Sequence, residues 1–308
     1  MDAGGDEMRP QLAIMNDLNN AFQNFFAKRA QYPKYRKKGI HDSFSISNDH
    51  LKTQGKKVWV PLLGWVNMAE ELRFDGKIIG AAISRTAEKW YISIQVEMPD
   101  AESTHMCENQ ALGVDLGIKA LATLSDGTVV AGTKAGRQCE RKLRRLNQEL
   151  SRRQGARKGE EKSNNFRKTK RKISRLYAKM ANIRMDETHQ LTTRLTREFG
   201  LIGIEDLNVQ GMMSNHKLAR SVADMSFFEF RRQLEYKAAA SGTRIVVADR
   251  WYPSSKLCSV CGYINKGLEL HDREWTCAQC GADHERDVNA AINLKNYAIR
   301  SNNEHNTP

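Results

Sequence analysis

No run of apolar residues in this chain approaches the roughly 18 that a membrane-crossing helix needs. The opening MDAGGDEMRP has neither the basic nor the apolar stretch that begins a secretory signal. Nothing repeats at the period of a solenoid. These absences exclude a membrane partner and a repeat array, and they predict a cytoplasmic protein. Cysteine is scarce too, six in 308 residues, and four of the six fall within one short stretch.

Acids are scarce where bases crowd. Residues 134–200 carry 21 Lys and Arg against 7 Asp and Glu, whereas the remainder is nearly balanced at 28 against 29. Almost all of the net charge of +13 therefore arises in one segment. A solvated helical face laced with salt bridges would need more acids than this. Clustered Lys and Arg fit a polyanionic partner, because neutralising phosphates releases counterions.

Length and a 40% hydrophobic fraction suit two or three globular units. Residues 10–31 place Leu12, Met15, Leu18, Phe22, Phe25 and Phe26 at helical spacing ahead of Pro33. Residues 41–99 read as short strands, VWVPLLGWVNM, KIIGAAIS and KWYISIQVEM, between turn residues. They predict a small, mostly antiparallel unit that can close as a barrel. Trp59, Trp90 and Tyr91 on these strands can stack on bases, but packing into the core is the expected role.

From Ala111 the pattern changes. ALGVDLGIKALATLSDGTVV reads as two strands joined at Asp126-Gly127. Two long basic helices follow, with Leu143, Leu146 and Leu150 on one and Ile173, Leu176, Met180 and Ile183 on the other. The break between them, QGARKGEEKSNN, is rich in Gly and polar residues. LIGIEDL is a buried-type strand, 224–241 a helix, and RIVVADRWY another strand. Strands alternating with helices predict an α/β sheet with some parallel pairing. The expected units are a helical piece over 1–40, a β unit over 41–108, and an α/β core over 109–250 containing a basic helical hairpin at 134–199. A cysteine segment over 251–282 and a last helix with its tail over 283–308 complete the chain.

Cys258-Ser-Val-Cys261 and Cys277-Ala-Gln-Cys280 are two CxxC turns separated by 15 residues, the spacing of a four-cysteine zinc ribbon. Gly262 and Gly281 follow each turn and let the backbone fold close around the sulfurs. Two disulfides or a redox CxxC are the alternatives; the first suits an oxidising compartment and the second would not come in duplicate. Four thiolates close the coordination, so this zinc would hold structure rather than do chemistry. Cys107 and Cys139 are left as ordinary free thiols. His284 could join the metal only by displacing a cysteine.

The acids are harder to sort. The strand period of GVDLGIK puts Gly113, Asp115 and Gly117 on one face. Glycines beside an acid imply open space that a metal or a phosphate could enter. LIGIEDL places Gly203 and Glu205 together in the same way. Either acid alone is as easily a turn cap at a strand end. In ERDVNAAINLKNYAIR, helical geometry puts Ala290, Ala291, Leu294 and Ala298 on the side of Asp287, and Asn289, Asn293, Asn296 and Arg300 opposite. Asp287 then points to the core on a first turn, where a carboxylate needs a cation or several donors. Three such acids meeting at one end of a sheet could hold one or two Mg²⁺ for phosphodiester hydrolysis. The phosphate-contact candidates are Arg141, Arg144, Arg145, Arg152 and Arg153 on the first basic helix and Arg167, Lys168, Lys170, Arg171 and Lys172 on the second. Arg286 could touch a phosphate, or simply pair with Glu285 or solvent.

Taken together, GVDLGIKALATLSDG, GIEDLNVQGM, FEFRRQLEYKA and SSKLCSVCG...WTCAQCGADHERDVNAAINL resemble the RuvC-like nuclease core of TnpB proteins, also called OrfB. The resemblance runs from about Tyr32 to Tyr297. It implies a transposon-encoded, RNA-guided DNA endonuclease related to compact type V CRISPR effectors, nucleoid-associated, with guide RNA and target DNA as partners. It also implies an RNase H-like fold in which Asp115, Glu205 and Asp287 are the magnesium-binding catalytic acids. Cys258, Cys261, Cys277 and Cys280 then match a structural zinc ribbon, and the 41–100 strands a wedge-like barrel. The residues before Tyr32 are expected to be a short remnant of the family's helical recognition lobe. That departure keeps a second reading open, a truncated nucleic-acid-binding regulator without guided cleavage. A DNA-strand-transfer transposase is the third.

Overall fold

The computed structural model describes residues 18–35, 37, 39, 42–98, 110–154, 162–269 and 271–305. Residues 10–17 of the first expected helix, Cys107 and most of the Gly-rich break at 155–161 lie outside them. The chain divides into two compact units, Met1–Asp100 and Ala101–Pro308.

In the first unit, helix α1 occupies residues 18–26. It stops well before Pro33, at a turn where Lys28 takes a left-handed φ of 56°. Six strands follow: β1 (Ser43–Ser47), β2 (Lys52–Gln54), β3 (Lys57–Val60), β4 (Gly64–Asn67), β5 (Lys77–Thr86) and β6 (Lys89–Glu97). They form two antiparallel three-stranded sheets, β1-β5-β6 and β2-β3-β4, rather than one continuous barrel ladder among the described residues. Both sheets contribute to one core of Ile46, Leu51, Val58, Val60, Ala81 and Ile83. The period of 2 that buries Val58 and Val60 turns Trp59 outward. Trp59, Trp90 and Tyr91 are 38%, 56% and 46% exposed, so the expected core role for these three does not hold.

The second unit is built on a mixed five-stranded sheet in the order β11-β10-β7-β8-β9. Its strands are β7 (Ala111–Leu116), β8 (Ala122–Leu124), β9 (Val129–Val130), β10 (Leu201–Glu205) and β11 (Arg244–Ala248). β7, β10 and β11 run parallel, whereas β8 and β9 fold back antiparallel. The stretch read as two strands is three, because the chain turns at Gly117–Leu121 before the Asp126-Gly127 hairpin. The helices are α2 (Ala135–Arg152), α3 (Asn164–Glu198), α4 (Val209–Ser214), α5 (Ala219–Met225), α6 (Phe227–Ser241) and α7 (Arg286–His305). The helix expected over 224–241 breaks at Ser226, whose φ of 53° is left-handed and cannot continue α5 into α6.

The two faces of the sheet are covered differently. Leu112, Val114, Leu116, Ile202 and Ile204 share a core with Leu191 and Leu195 of α3 and with Phe230 and Leu234 of α6. Their strand neighbours Gly113 and Gly203 face α7 instead. A Cβ on Gly113 would collide with the backbone of Ala291, and one on Gly203 with the Leu294 carbonyl. The helix thus lies directly on the strand backbones, with Ala290, Ala291, Leu294 and Ala298 buried beneath it. The space beside Asp115 that the glycines implied is therefore filled on the Gly113 side by protein.

α2 and α3 form the basic hairpin, closed by Ala135, Leu146, Ile173, Leu176 and Met180 with Leu143, Leu150 and Ile183 packed against them. That is the seam the sequence pattern predicts. The root of the hairpin is tied down by Asp224 of α5, which is 8% exposed and accepts from the Gly136 amide and from Arg184, each at 3.1 Å. Glu187 accepts from the amide and hydroxyl of Thr133 at 3.0 and 2.9 Å. No helix among the described residues is long and apolar enough to cross a membrane.

If close seating of α7 holds this fold, Gly113→Ala should cost about 2–3 kcal/mol by overpacking. Urea denaturation measures it; an unchanged midpoint would contradict the seating.

Candidate active site and cysteine cluster

Parallel pairing aligns Gly113 with Gly203 and Val114 with Ile204. One step further, Asp115 and Glu205 stand in corresponding positions at the carboxyl ends of neighbouring strands, about 4.8 Å apart in the ladder and on one face. It is the face that α7 covers, and Asp287 lies in that helix's first turn. Three acids separated by 90 and 82 positions in the sequence are thus brought to one end of one sheet.

Their electrostatics record the meeting. Burial holds the Asp115 carboxyl well above the ordinary aspartate range; the like charges of Glu205 and then Asp287 push it further, and Arg286 and Arg273 pull it back. Burial raises Glu205 to about 7. Neither carboxyl has a side-chain hydrogen bond or ion pair among the described residues. Asp287 does: Arg273 Nη1 lies 3.2 and 3.4 Å from its two oxygens. The neighbouring Asp206 shows the contrast, because Arg231 and Arg250 hold it at 2.8 and 2.7 Å and keep its carboxyl below the usual range. In the pair Glu205-Asp206 only the first is left available for a cation. Sequence reasoning did not find Arg273, which carries no motif signal of its own.

Two desolvated carboxyls beside a third are chemistry that suits a hard divalent cation; among the described residues, only the four cysteines already bring their ligand atoms within 4.8 Å of one another. Without one, sharing protons is the cheaper state.

The four cysteine sulfurs of 258, 261, 277 and 280 lie within 4.8 Å of one another, and all four are free thiols. Cys258 and Cys280 are 3.7 Å apart and Cys261 and Cys277 3.6 Å. Tetrahedral thiolates on zinc are about 3.8 Å apart, from Zn–S bonds of about 2.3 Å. Each turn is closed identically, with Gly262 and Gly281 at φ 79° and 72° donating to the Cys258 and Cys277 carbonyls at 2.9 Å. A short hairpin, β12 (Glu274–Thr276) with β13 (Asp283–Glu285), leads from this cluster into α7. Cys139 stands apart, half-buried on α2.

Of the phosphate-contact candidates, Arg141, Arg144, Arg145, Arg152, Arg167, Lys168, Lys170, Arg171 and Lys172 are exposed on the hairpin. Arg153 and Arg286 are drawn into the protein. Arg153 binds Glu149 and Thr169 at 2.7 and 2.6 Å and joins the ends of α2 and α3. Arg286, half-buried, donates to the Glu269 carbonyl at 3.0 Å rather than pairing with Glu285. A groove of about 450 Å³ runs between α2 and α3, lined by Lys142, Arg145, Glu149, Lys172, Arg175 and Lys179 with Leu146 and Leu176 at its floor. Lys142, Arg175 and Lys179 were not among the candidates, although their place in the charge run was legible.

In the metal-free protein the raised Glu205 pKa makes the neutral carboxyl the favoured folded form. Its contribution is complete below the unfolded value of 4.5 and is lost as pH rises through about 7. Thermal unfolding in chelator should therefore show stability falling across that window, by on the order of 3 kcal/mol. Glu205→Gln should flatten the fall, and an equal fall in that variant would refute the assignment.

The chain was compared with known proteins. The family OrfB_IS605, described as "Probable transposase", matches residues 93–216, and the Cas12f1-like TNB domain matches 227–294. A Streptomyces pristinaespiralis protein named "Putative RNA-guided DNA endonuclease" is 39% identical over 295 residues, covering 92% of this chain and 70% of its own. The Escherichia coli K12 protein "Putative RNA-guided DNA endonuclease InsQ" is 34% identical, covering 93% and 73%. Among solved structures, Cas12f1 in complex with sgRNA and target DNA shares the fold at a TM-score of 0.56 and 14% identity, over 92% of this chain and 70% of that one. With the acid-bearing sheet, the basic hairpin and the cysteine cluster in this order, the chain belongs to the TnpB/OrfB family.

Proposed function

We propose that this protein is a Mg²⁺-dependent, RNA-guided DNA endonuclease with an RNase H-like, RuvC-type core. What supports the reading is that Asp115 and Glu205 end adjacent parallel strands, both with carboxyls raised by burial, under a helix whose first turn carries Asp287. Asp115 feels the like charge of both other acids, so it would be the central ligand, with Glu205 and Asp287 completing the set. Magnesium held there would supply the Lewis acidity that activates water and stabilises the leaving oxygen of a phosphodiester. Arg273 pairs with Asp287 at 3.2 Å, and Arg286 offsets part of the charge at Asp115. Cys258, Cys261, Cys277 and Cys280 suit a structural zinc, on the sulfur spacing.

The α2–α3 hairpin suits the nucleic acid. Its groove presents five cationic side chains and one acid over an apolar floor, a surface that can follow a phosphate backbone without reading bases. The guide RNA and target DNA come to this chain from the names of its relatives.

The test is to purify the protein with its flanking element sequence expressed, sequence the RNA it carries, and assay a matching plasmid with Mg²⁺. Wild type should cleave, and Asp115→Ala should lose at least 10³-fold in rate while keeping the RNA, as expected when a metal-bridging group is removed. Equal cleavage by Asp115→Ala sinks the nuclease reading. RNA binding without cleavage by wild type would favour the regulatory alternative. A Lys142→Ala/Arg145→Ala/Lys172→Ala variant should lower the log–log salt slope of RNA binding by about 2–3, one for each phosphate no longer neutralised. An unchanged slope would move the nucleic-acid surface elsewhere.

A further inference from the structure

Two of the four polar residues on the side of α7 opposite Asp287 are buried. Asn289 and Asn293 are 1% and 2% exposed. Asn289 Nδ2 donates to the Leu257 carbonyl at 2.7 Å, and its Oδ1 accepts the Ser259 amide at 3.0 Å. Asn293 Nδ2 donates to the Leu257 and Ser254 carbonyls at 2.6 and 2.8 Å. These bonds reach the peptide groups on either side of Cys258. An interior amide is a poor helix former and costly to bury, so a pair of them one turn apart is there for what it bonds.

A third contact comes from just before the helix. His284 on β13 is 8% exposed, its ring 4.6 Å from Trp275, and its Nε2 lies 3.1 Å from Cys258 Sγ. A metal-bound thiolate has no proton to give, so with the cluster loaded the imidazole must be the donor. Such a bond draws charge from a zinc tetrathiolate, whose net charge is −2, and holds the ligand in place.

Residues 284, 289 and 293 thus grip one cysteine turn, and Asp287 lies between the first two of them. We propose that His284, Asn289 and Asn293 clamp the Cys258 turn onto the start of α7, so that metal loading of the cysteine cluster holds the helical turn carrying Asp287. All three are positioning residues. The inference rests on the zinc reading of the four cysteines and goes beyond it by naming how that metal is connected to the acid site.

The full chain can be tested by amide hydrogen exchange over residues 286–291, with zinc present and after stripping. In wild type, stripping should raise exchange there at least tenfold. The Asn289→Ala/Asn293→Ala variant should exchange that fast with zinc still bound, and stripping should add less than twofold. Should the double variant not fold, the single Asn289→Ala is read the same way. His284→Phe should keep the four-thiolate absorption spectrum of Co²⁺ but release metal to a chelator about tenfold faster, and His284→Gln, which restores an N–H, should recover most of that loss.

Wild-type exchange indifferent to zinc would overturn the clamp, as would strictly additive effects of stripping and of the asparagine changes. A wild-type Co²⁺ spectrum of three thiolates and one imidazole, shifted by His284→Phe, would make His284 a ligand and overturn its role as donor. Zinc well below one equivalent per chain would defeat the zinc reading itself. A clamp that acts through metal loading would fall with it, whereas one equivalent of zinc whose removal leaves exchange unchanged would overturn the clamp alone.

Discussion

Much of this molecule depends on how closely one helix approaches one pair of strands. α7 rests on the backbones of β7 and β10 because Gly113 and Gly203 present no side chain beneath it. Any larger residue would lift the helix by the thickness of a methyl group or more. The lift would reach Asp287 at one end, the Leu294 and Ala298 contacts in the middle, and the buried asparagines along the opposite edge. A separation that sheet–helix packing normally fills with side chains is here closed to backbone contact, and the acids sit at the rim of that contact.

Charge follows from the same arrangement. Burial raises the cost of ionising Asp115 and Glu205, the like charges of Glu205 and Asp287 add to it at Asp115, and the protein relieves only part of that cost. Arg273 takes Asp287, and Arg286 acts on Asp115 from a distance while its own guanidinium is engaged with Glu269. Asp206, one residue from the cluster, is fully satisfied by two arginines. The contrast separates a paired acid from one unpaired among the described residues, at adjacent positions.

The basic hairpin obeys a separate logic. Its long arms are exposed and mostly cationic, and its own apolar seam is short. What orients it is the buried root, where Asp224 binds Arg184 and the Gly136 amide and Glu187 binds Thr133. The buried root thus ties a mostly exposed basic surface to the sheet-bearing unit.

The local periodicities were legible in the sequence: the helical seam of Leu143, Leu146, Ile173 and Leu176, the two cysteine turns with their glycines, the strand carrying Asp115, and the inward turn of Asp287. Each depends on neighbours within a few positions, so the chain itself carries the information. Motif order then pointed to the family before any coordinate did. The structure alone decided what depends on partners far away in the chain. It filled the space beside Gly113 with α7, turned Trp59 and Trp90 outward, broke the 224–241 helix at Ser226, bound Arg153 to Thr169 and Arg286 to the Glu269 carbonyl, and buried Asn289 and Asn293 against a turn some thirty residues earlier. Periodicity tells which side of an element differs from the other. Which side is covered, and by what, is set by long-range packing, and that is why the acids could be suspected from the sequence but their meeting, and the clamp beside it, needed the fold.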